Sequence, residues 1–280
     1  MAEAENGALQ FAVNHMVAPQ LELAAFFALA RTLGLHSVEI RNDIAGEAIS
    51  DGTTAAAVRT AAERAGVGIL TINALQRFND WTPERAEEAA VLAAYAHQCG
   101  AAALILVPTN DGRGRRDGER QQNLGRALAA LKPILEAAGI IGLVEPLGFE
   151  ACSLRLKREA VEGIRAVGGE AVFSVTHDTF HHHLAGETEL FPDFTGLVHL
   201  SGVDDPSVAI GEMRDSHRVL VGPGDRLGNI EQLRALRLGG YRGPLSFEPF
   251  AAELRHLADP AAAIAESITF VTAQLAKETA

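Results

Sequence analysis

Short apolar runs recur along the chain and alternate with longer Ala- and Leu-rich stretches whose apolar positions fall every three or four residues. The runs read as strands at 10–14, 36–40, 68–73, 103–107, 140–145, 172–177, 197–200 and 244–248. Between them, 19–33, 53–65, 83–98, 119–138, 157–167 and 229–238 carry the helical period, and 260–276 follows the last run. Leu124, Leu128, Leu131 and Leu135 share one face of their stretch, the stripe by which a surface helix covers a sheet. The punctuation agrees: Thr82-Pro83-Glu84-Arg85 offers an N-cap with Pro at the first helical position. Gly34, Gly66, Gly100, Gly139 and Gly168 stand where helices should end.

Parallel strands need crossover helices, and eight strand–helix units close on themselves without an open edge. The pattern therefore predicts an α/β protein, a (β/α)8 TIM barrel, as a single domain over 9–280, with 1–8 a fraying N-terminal segment. The link 184–196 is too short and too Pro-interrupted for a long helix. An open doubly wound sheet is the nearest rival, but no Gly-x-Gly-x-x-Gly follows the first strand, so its usual nucleotide chemistry lacks support.

Composition narrows the function classes. The net charge of -12 opposes attraction to nucleic acid or an anionic membrane, which leaves a small neutral molecule as the better partner. No apolar run approaches the roughly 20 residues of a membrane helix, and the acidic N-terminus lacks the character of a secretory signal, so a cytoplasmic protein is expected. Cys99 and Cys152 show no CxxC spacing and read as reduced bystanders. The basic cluster Arg113, Arg115, Arg116 and Arg120, in a Gly-rich loop at 109–120, reads as a solvated loop, with a clamp for carboxylate or phosphate as the alternative.

Four potential ligands stand at or just past the ends of consecutive predicted strands: Glu145, Asp178, His199 and Glu248. In a barrel of this type the C-terminal strand ends form the functional face. Three carboxylates and one imidazole make a mainly oxygen-donor site suited to Mn²⁺ or Mg²⁺, with Co²⁺ and Zn²⁺ as further candidates. His181 lies three residues past Asp178 and is placed to reach a substrate oxygen; His182 and His183 are candidate extra ligands. Arg218 precedes the turn Gly222-Pro223-Gly224 and reads either as a substrate contact or as a partner of Asp215. Asn14, His15, Glu39, Arg41, Asn73, Gln76, Arg77, Phe78 and Trp81 are weaker candidates for lining a pocket for a polyhydroxylated ring. Glu39 reads equally as an ion-pair partner of Arg41 or of another barrel residue.

With Val144-Glu145-Pro146, His177-Asp178-Thr179-Phe180-His181, Val198-His199-Leu200, Phe247-Glu248-Pro249 and Arg218-Val219 in place, nearly the whole chain resembles the xylose isomerase-like TIM-barrel family. The resemblance implies a divalent metal held by Glu145, Asp178, His199 and Glu248, with His181 and Arg218 on substrate oxygens. The Asp-Thr-Phe-His wording is most similar to the family's inositol-catabolism branch. That branch implies isomerisation of inososes, 2-keto-myo-inositol and 1-keto-D-chiro-inositol, by proton transfer through a metal-stabilised cis-enediolate. Glu145 and Glu248 are then the expected catalytic acid–base pair, with Asn14 and Trp81 as further substrate contacts and a homo-oligomer as the expected assembly. Inosose dehydratase and ketose 3-epimerase are the enzymatic alternatives, and a noncatalytic sugar- or metal-binding barrel the third. The 109–120 loop and the doubled His182-His183 depart from the branch.

Overall fold

Each of the eight apolar runs contributes one strand to a closed parallel barrel in the computed structural model, which describes residues 9–44 and 52–277. The strands are β1 (Phe11–Asn14), β2 (Ser37–Arg41), β3 (Gly68–Gln76), β4 (Ala103–Val107), β5 (Ile141–Val144), β6 (Phe173–Asp178), β7 (Thr195–Leu200) and β8 (Leu245–Phe247). They pair in chain order, and β8 returns to β1. The helices are α1 (Leu23–Thr32), α2 (Ala55–Ala65), α3 (Pro83–Cys99), α4 (Glu119–Ala138), α5 (Lys157–Ala166), α6 (Thr179–Ala185), α7 (Asn229–Leu238) and α8 (Pro260–Ala276). The expected fraying segment 1–8 lies outside the described residues. Among the described residues, no helix is long and apolar enough to cross a membrane.

The strands are apolar on both sides because both sides are covered. Leu104 and Leu106 face the helices and join the large outer core with Phe26, Leu128 and Ile164, whereas Ala103 and Ile105 belong to a separate cluster with Leu143 and Leu197. On β2 the same alternation sends Val38 and Ile40 to the outer core and leaves Glu39 for the barrel interior, where it is fully buried. Helix ends follow their sequence signals. Thr82 Oγ1 accepts from the Arg85 amide at 3.2 Å, and Gly100 closes α3 at φ +83°, a conformation costly for any residue with a Cβ.

Two boundaries differ from the sequence expectation. Strand β3 runs on to Gln76, so Asn73 is a strand residue and not part of the following loop. Between β6 and β7 a seven-residue helix starts directly at the strand end, because the Asp178 side chain caps it by accepting from the His181 amide at 2.9 Å. Pro192, the one proline of the link, lies beyond the end of this helix, and no long helix forms at 184–196, as expected. One aspartate thus ends a strand, starts a helix and fixes His181 over the barrel mouth.

The seat of α6 is tight against Gly148. A Cβ at that position would collide with the backbone carbonyl of His181 and come within 2.7 Å of Leu184 Cβ and 2.9 Å of the Ala185 amide. Gly148→Ala is therefore expected to destabilise by about 1–3 kcal/mol, while Gly125→Ala in α4, with open space around it, stabilises by about 0.5–1 kcal/mol. Opposite shifts of the thermal midpoint check this; a silent Gly148→Ala would show that α6 is free to move.

Candidate metal centre

The register of the sheet brings the four strand-end residues to one height. Asp178 pairs with His199, and Leu200 with Phe247, the residue before Glu248; Glu145 immediately follows β5. One ligand atom from each of Glu145, Asp178, His199 and Glu248 lies within 4.8 Å of the others, and all four residues are buried.

His199 sits at the centre. Its Nδ1 lies 2.7 Å from Glu145 Oε1, 3.1 Å from Glu248 Oε2 and 3.9 Å from Asp178 Oδ2. On the other side of the ring, Nε2 donates to Glu39 Oε2 at 3.1 Å. That same oxygen accepts from Thr71 Oγ1 at 2.6 Å and Asn73 Nδ2 at 3.0 Å, so Glu39 is itself held in place. A carboxylate behind Nε2 keeps the proton there and presents Nδ1 to the three acids, the arrangement that orients an imidazole ligand toward a metal.

Two buried arginines hold the acids from either side. Arg41 Nη1 donates to Glu248 Oε1 at 2.7 Å, and Asn14 Nδ2 donates to the same oxygen at 3.2 Å. Arg218 Nη2 donates to Asp178 Oδ2 at 2.6 Å and Glu248 Oε2 at 3.1 Å, Nη1 to Asp215 at 3.2 Å and Nε to Ser201 Oγ at 2.9 Å. Its guanidinium lies between the Phe180 and Phe250 rings, 5.1 and 4.6 Å from their centroids.

The charges do not balance without a cation. Four buried carboxylates, Glu39, Glu145, Asp178 and Glu248, face two buried guanidinium groups, Arg41 and Arg218. Arg41 also pairs with Asp43 and Arg218 with Asp215, both half-exposed, so with His199 neutral the cluster keeps at least two negative charges, which suits a divalent ion. The uncompensated negative charge raises the proton affinity of the cluster. Burial alone would lower the His199 pKa, yet Glu248, Glu39 and Glu145 raise it well above the usual imidazole range. Burial raises the Glu145 carboxyl; His199 opposes this, and Glu248 and Asp178 add to it. Burial likewise pushes Glu248 upward, but His199, Arg218 and Arg41 outweigh it and hold this acid low. Imidazole nitrogen and carboxylate oxygens at this spacing are a donor set that fits a divalent ion.

A cavity of about 380 Å³ opens over the cluster, lined by Glu145, Glu248, His181, Arg218 and Arg41 among others. His181 is buried edge-on to Phe149 and Phe180, and its Nδ1 has no partner among the described residues. Asn73, Gln76 and Arg77 also line the cavity. Other sequence candidates are placed elsewhere. Asn14 lies beneath Glu248 and does not border the cavity, and Trp81 packs partly buried against the outer core. Phe78 is fully buried in that core, and His15 stacks on Phe26 at 4.2 Å. His182 turns away from the cluster to Lys157 Nζ at 2.7 Å, and neither it nor His183 joins the four-residue group. In the basic loop, Arg113 pairs with Asp111, Arg116 with Glu119 and Arg120 with Glu159, which fits the solvated-loop reading. Sequence reasoning left the partner of Glu39 open and missed that Arg41 grips Glu248. The signal for Glu39 was its charge at an inward strand position between two outward apolar residues.

The model of the family described as xylose isomerase-like TIM barrel matches residues 27–274. A xylose isomerase domain containing protein from Salmonella typhimurium LT2 is 36% identical with a TM-score of 0.87, over 95% of this chain and 97% of that one. The IolI protein, whose structure has a bound zinc atom, is 20% identical with a TM-score of 0.84, over 96% and 99% of the two chains. D-allulose 3-epimerase from Methylomonas sp., solved with D-allulose, is 17% identical with a TM-score of 0.72, over 95% and 97%. At these identities the last two show the shared fold alone. No curated protein matches the chain. Family model and barrel agree: the chain belongs to the xylose isomerase-like TIM barrel family.

Proposed function

We propose that this protein is a divalent-metal-dependent isomerase of keto polyols that interconverts inososes, 2-keto-myo-inositol and 1-keto-D-chiro-inositol. The observation that carries the reading is the net negative charge of the buried cluster together with two carboxylates and an unpartnered imidazole nitrogen lining one cavity. The zinc in IolI and the ketose in the epimerase structure support it as similarities. Glu145, Asp178, His199 Nδ1 and Glu248 would hold the ion, Mn²⁺ by preference for a mixed oxygen and nitrogen set, with Mg²⁺, Co²⁺ and Zn²⁺ as alternatives. Bound there, it supplies the Lewis acidity that polarises a carbonyl and makes the neighbouring C–H acidic.

The chain's own residues then divide the work. Among the described residues Glu145 has only His199 Nδ1 beside it, a contact given up when that nitrogen turns to the ion, whereas Glu248 keeps hydrogen bonds from Arg41, Asn14 and Arg218. Donors to a carboxylate stabilise its charged form, so Glu145 is the more basic of the two. Glu145 takes the proton from the hydroxyl-bearing carbon beside the ketone, which gives a cis-enediolate. The hydroxyl proton passes by way of Glu248 to the former carbonyl oxygen, and the proton held by Glu145, or one exchanged for it from solvent, goes to the former carbonyl carbon, so both carboxylates end ionised as they began. The product has the mass of the substrate. His181 Nδ1 meets a substrate oxygen, and Arg218 offers its remaining Nη1 hydrogen to another, its other donors being held by Ser201, Asp215, Asp178 and Glu248.

Inosose incubated in D₂O with metal-loaded protein should gain deuterium at the α-carbon and yield a second ketone of unchanged carbon skeleton. NMR after metal removal reads both, and loss of water would point to a dehydratase instead. Glu145→Gln should lower exchange by about a hundredfold or more while circular dichroism stays native; undiminished exchange sinks the base assignment. Chelation should abolish turnover and Mn²⁺ restore it. Glu39→Gln leaves all four ligands in place but weakens the hold on the His199 tautomer. Calorimetric metal affinity should fall about 10- to 100-fold, with Glu39→Asp intermediate; unchanged affinity would remove Glu39 from the site's design.

A further inference from the structure

The cavity over the metal centre is not closed at its rim. A second cavity of about 370 Å³ adjoins it, with Asn110, Phe149 and Asp215 lining both. The two differ in chemistry. The first is walled chiefly by charged and amide side chains, enough for a small polyol; together the two reach the middle of the roughly 300–1,000 Å³ range of ligand sites. The second has an apolar wall formed by Phe149 from the β5–α5 connection, Leu184 from α6 and Ile210 from the β7–α7 connection.

Ile210 is the informative residue. It is 52% exposed, one of few large apolar side chains so exposed among the described residues. Its loop does not lack a core: Met213, three residues on, is fully buried with Val203, Phe180 and Leu227. The same loop is pinned by Arg226 Nη1 donating to the Val208 carbonyl at 2.8 Å. A packed and pinned loop thus holds one isoleucine outward, at the edge of a cavity that shares three wall residues with the one over the cluster. The charged residues there come in both signs, Arg155 and Arg214 against Glu150 and Asp215, so the chamber favours no net charge. Arg155 is committed to the Gly148 carbonyl at 2.8 Å and to Glu150 at 3.2 Å, and Arg214 to the carbonyls of Gly211 and Met213.

Resting on the keto-polyol reading of the inner cavity, we infer that the outer chamber is a subsite for a neutral, apolar substituent of the substrate. The natural substrate is then a two-part molecule, a polyol ring that reacts over the metal centre and an aryl or alkyl group that lies against Phe149, Leu184 and Ile210. This goes beyond a free inosose.

The test uses probes that bind without reacting: myo-inositol and its monobenzyl ethers, titrated calorimetrically into the metal-loaded full-length protein. At least one ether should bind about tenfold or more tightly than myo-inositol, the gain expected for burying an aromatic ring. Ile210→Asp should reduce that ratio to about two or less, and Ile210→Leu should keep it. A ratio near one in the unaltered protein, no measurable binding of any ether, or a preference that survives Ile210→Asp would each overturn the subsite. The probes carry no ketone, so the ratio is independent of turnover. If inosose shows no α-proton exchange while the benzyl preference holds and fails in Ile210→Asp, the isomerase reading falls and the subsite stands.

Discussion

Charge balance in a water-poor space is the constraint on which the site depends. Glu39, Glu145, Asp178 and Glu248 are buried around one imidazole, and Arg41 and Arg218, which also pair with Asp43 and Asp215, neutralise at most half of their charge. Unpaired buried charge is costly, and a group so placed changes its protonation before it accepts that cost. His199 and Glu145 show this response, each drawn toward its protonated form. A dication that replaces those protons restores His199 Nδ1 and Glu145 as ligands. The fitness of the cluster for a divalent ion thus follows from the electrostatics of the whole buried set as well as from the presence of four donors.

The barrel makes such a cluster tolerable. Its outer core, between strands and helices, and the apolar interior cluster around Ala103, Leu143 and Leu197 carry the hydrophobic burial. The polar network of Glu39, Thr71, Asn73 and His199 occupies the interior near the functional mouth. Stability drawn from one layer permits an electrostatically strained layer beside it, which is the usual relation between a fold and its site.

Much of this was legible in the sequence, and the reason is periodicity. Strands buried on both faces read as continuous apolar runs, so a charged residue at the end of one stands out; Glu145, Asp178, His199 and Glu248 were all visible in that way. Glu39 was harder because it lies inside its run, and its partner His199 is 160 residues away. Which strand faces which across a closed barrel is set by shear and register, neither of which a single strand records. Asn14 and Arg41 were recognised as strand-end polar residues, but their grip on Glu248 spans the seam between the first strands and the last. Trp81 and Phe78 illustrate the opposite error, since an aromatic after a strand end serves the core as readily as a pocket.

The same limit explains why α6 matters more than its length suggests. Asp178 Oδ1 caps the helix and Oδ2 takes the Arg218 guanidinium, while the residue as a whole belongs to the ligand set. The cap and the ion pair use different oxygens of the same carboxylate and hold it in one orientation, so they reinforce one another. Because His181 donates its amide to that cap, the position of its ring over the cavity is tied to the orientation of the Asp178 carboxylate in the cluster below it. Gly148, packed under the His181 carbonyl, removes the space into which the helix would otherwise relax. In the proposed reading, the ion site and the group that would meet a substrate oxygen are therefore mechanically linked through a single aspartate. A substitution there is expected to disturb both together, whereas one at Glu39 disturbs the imidazole alone.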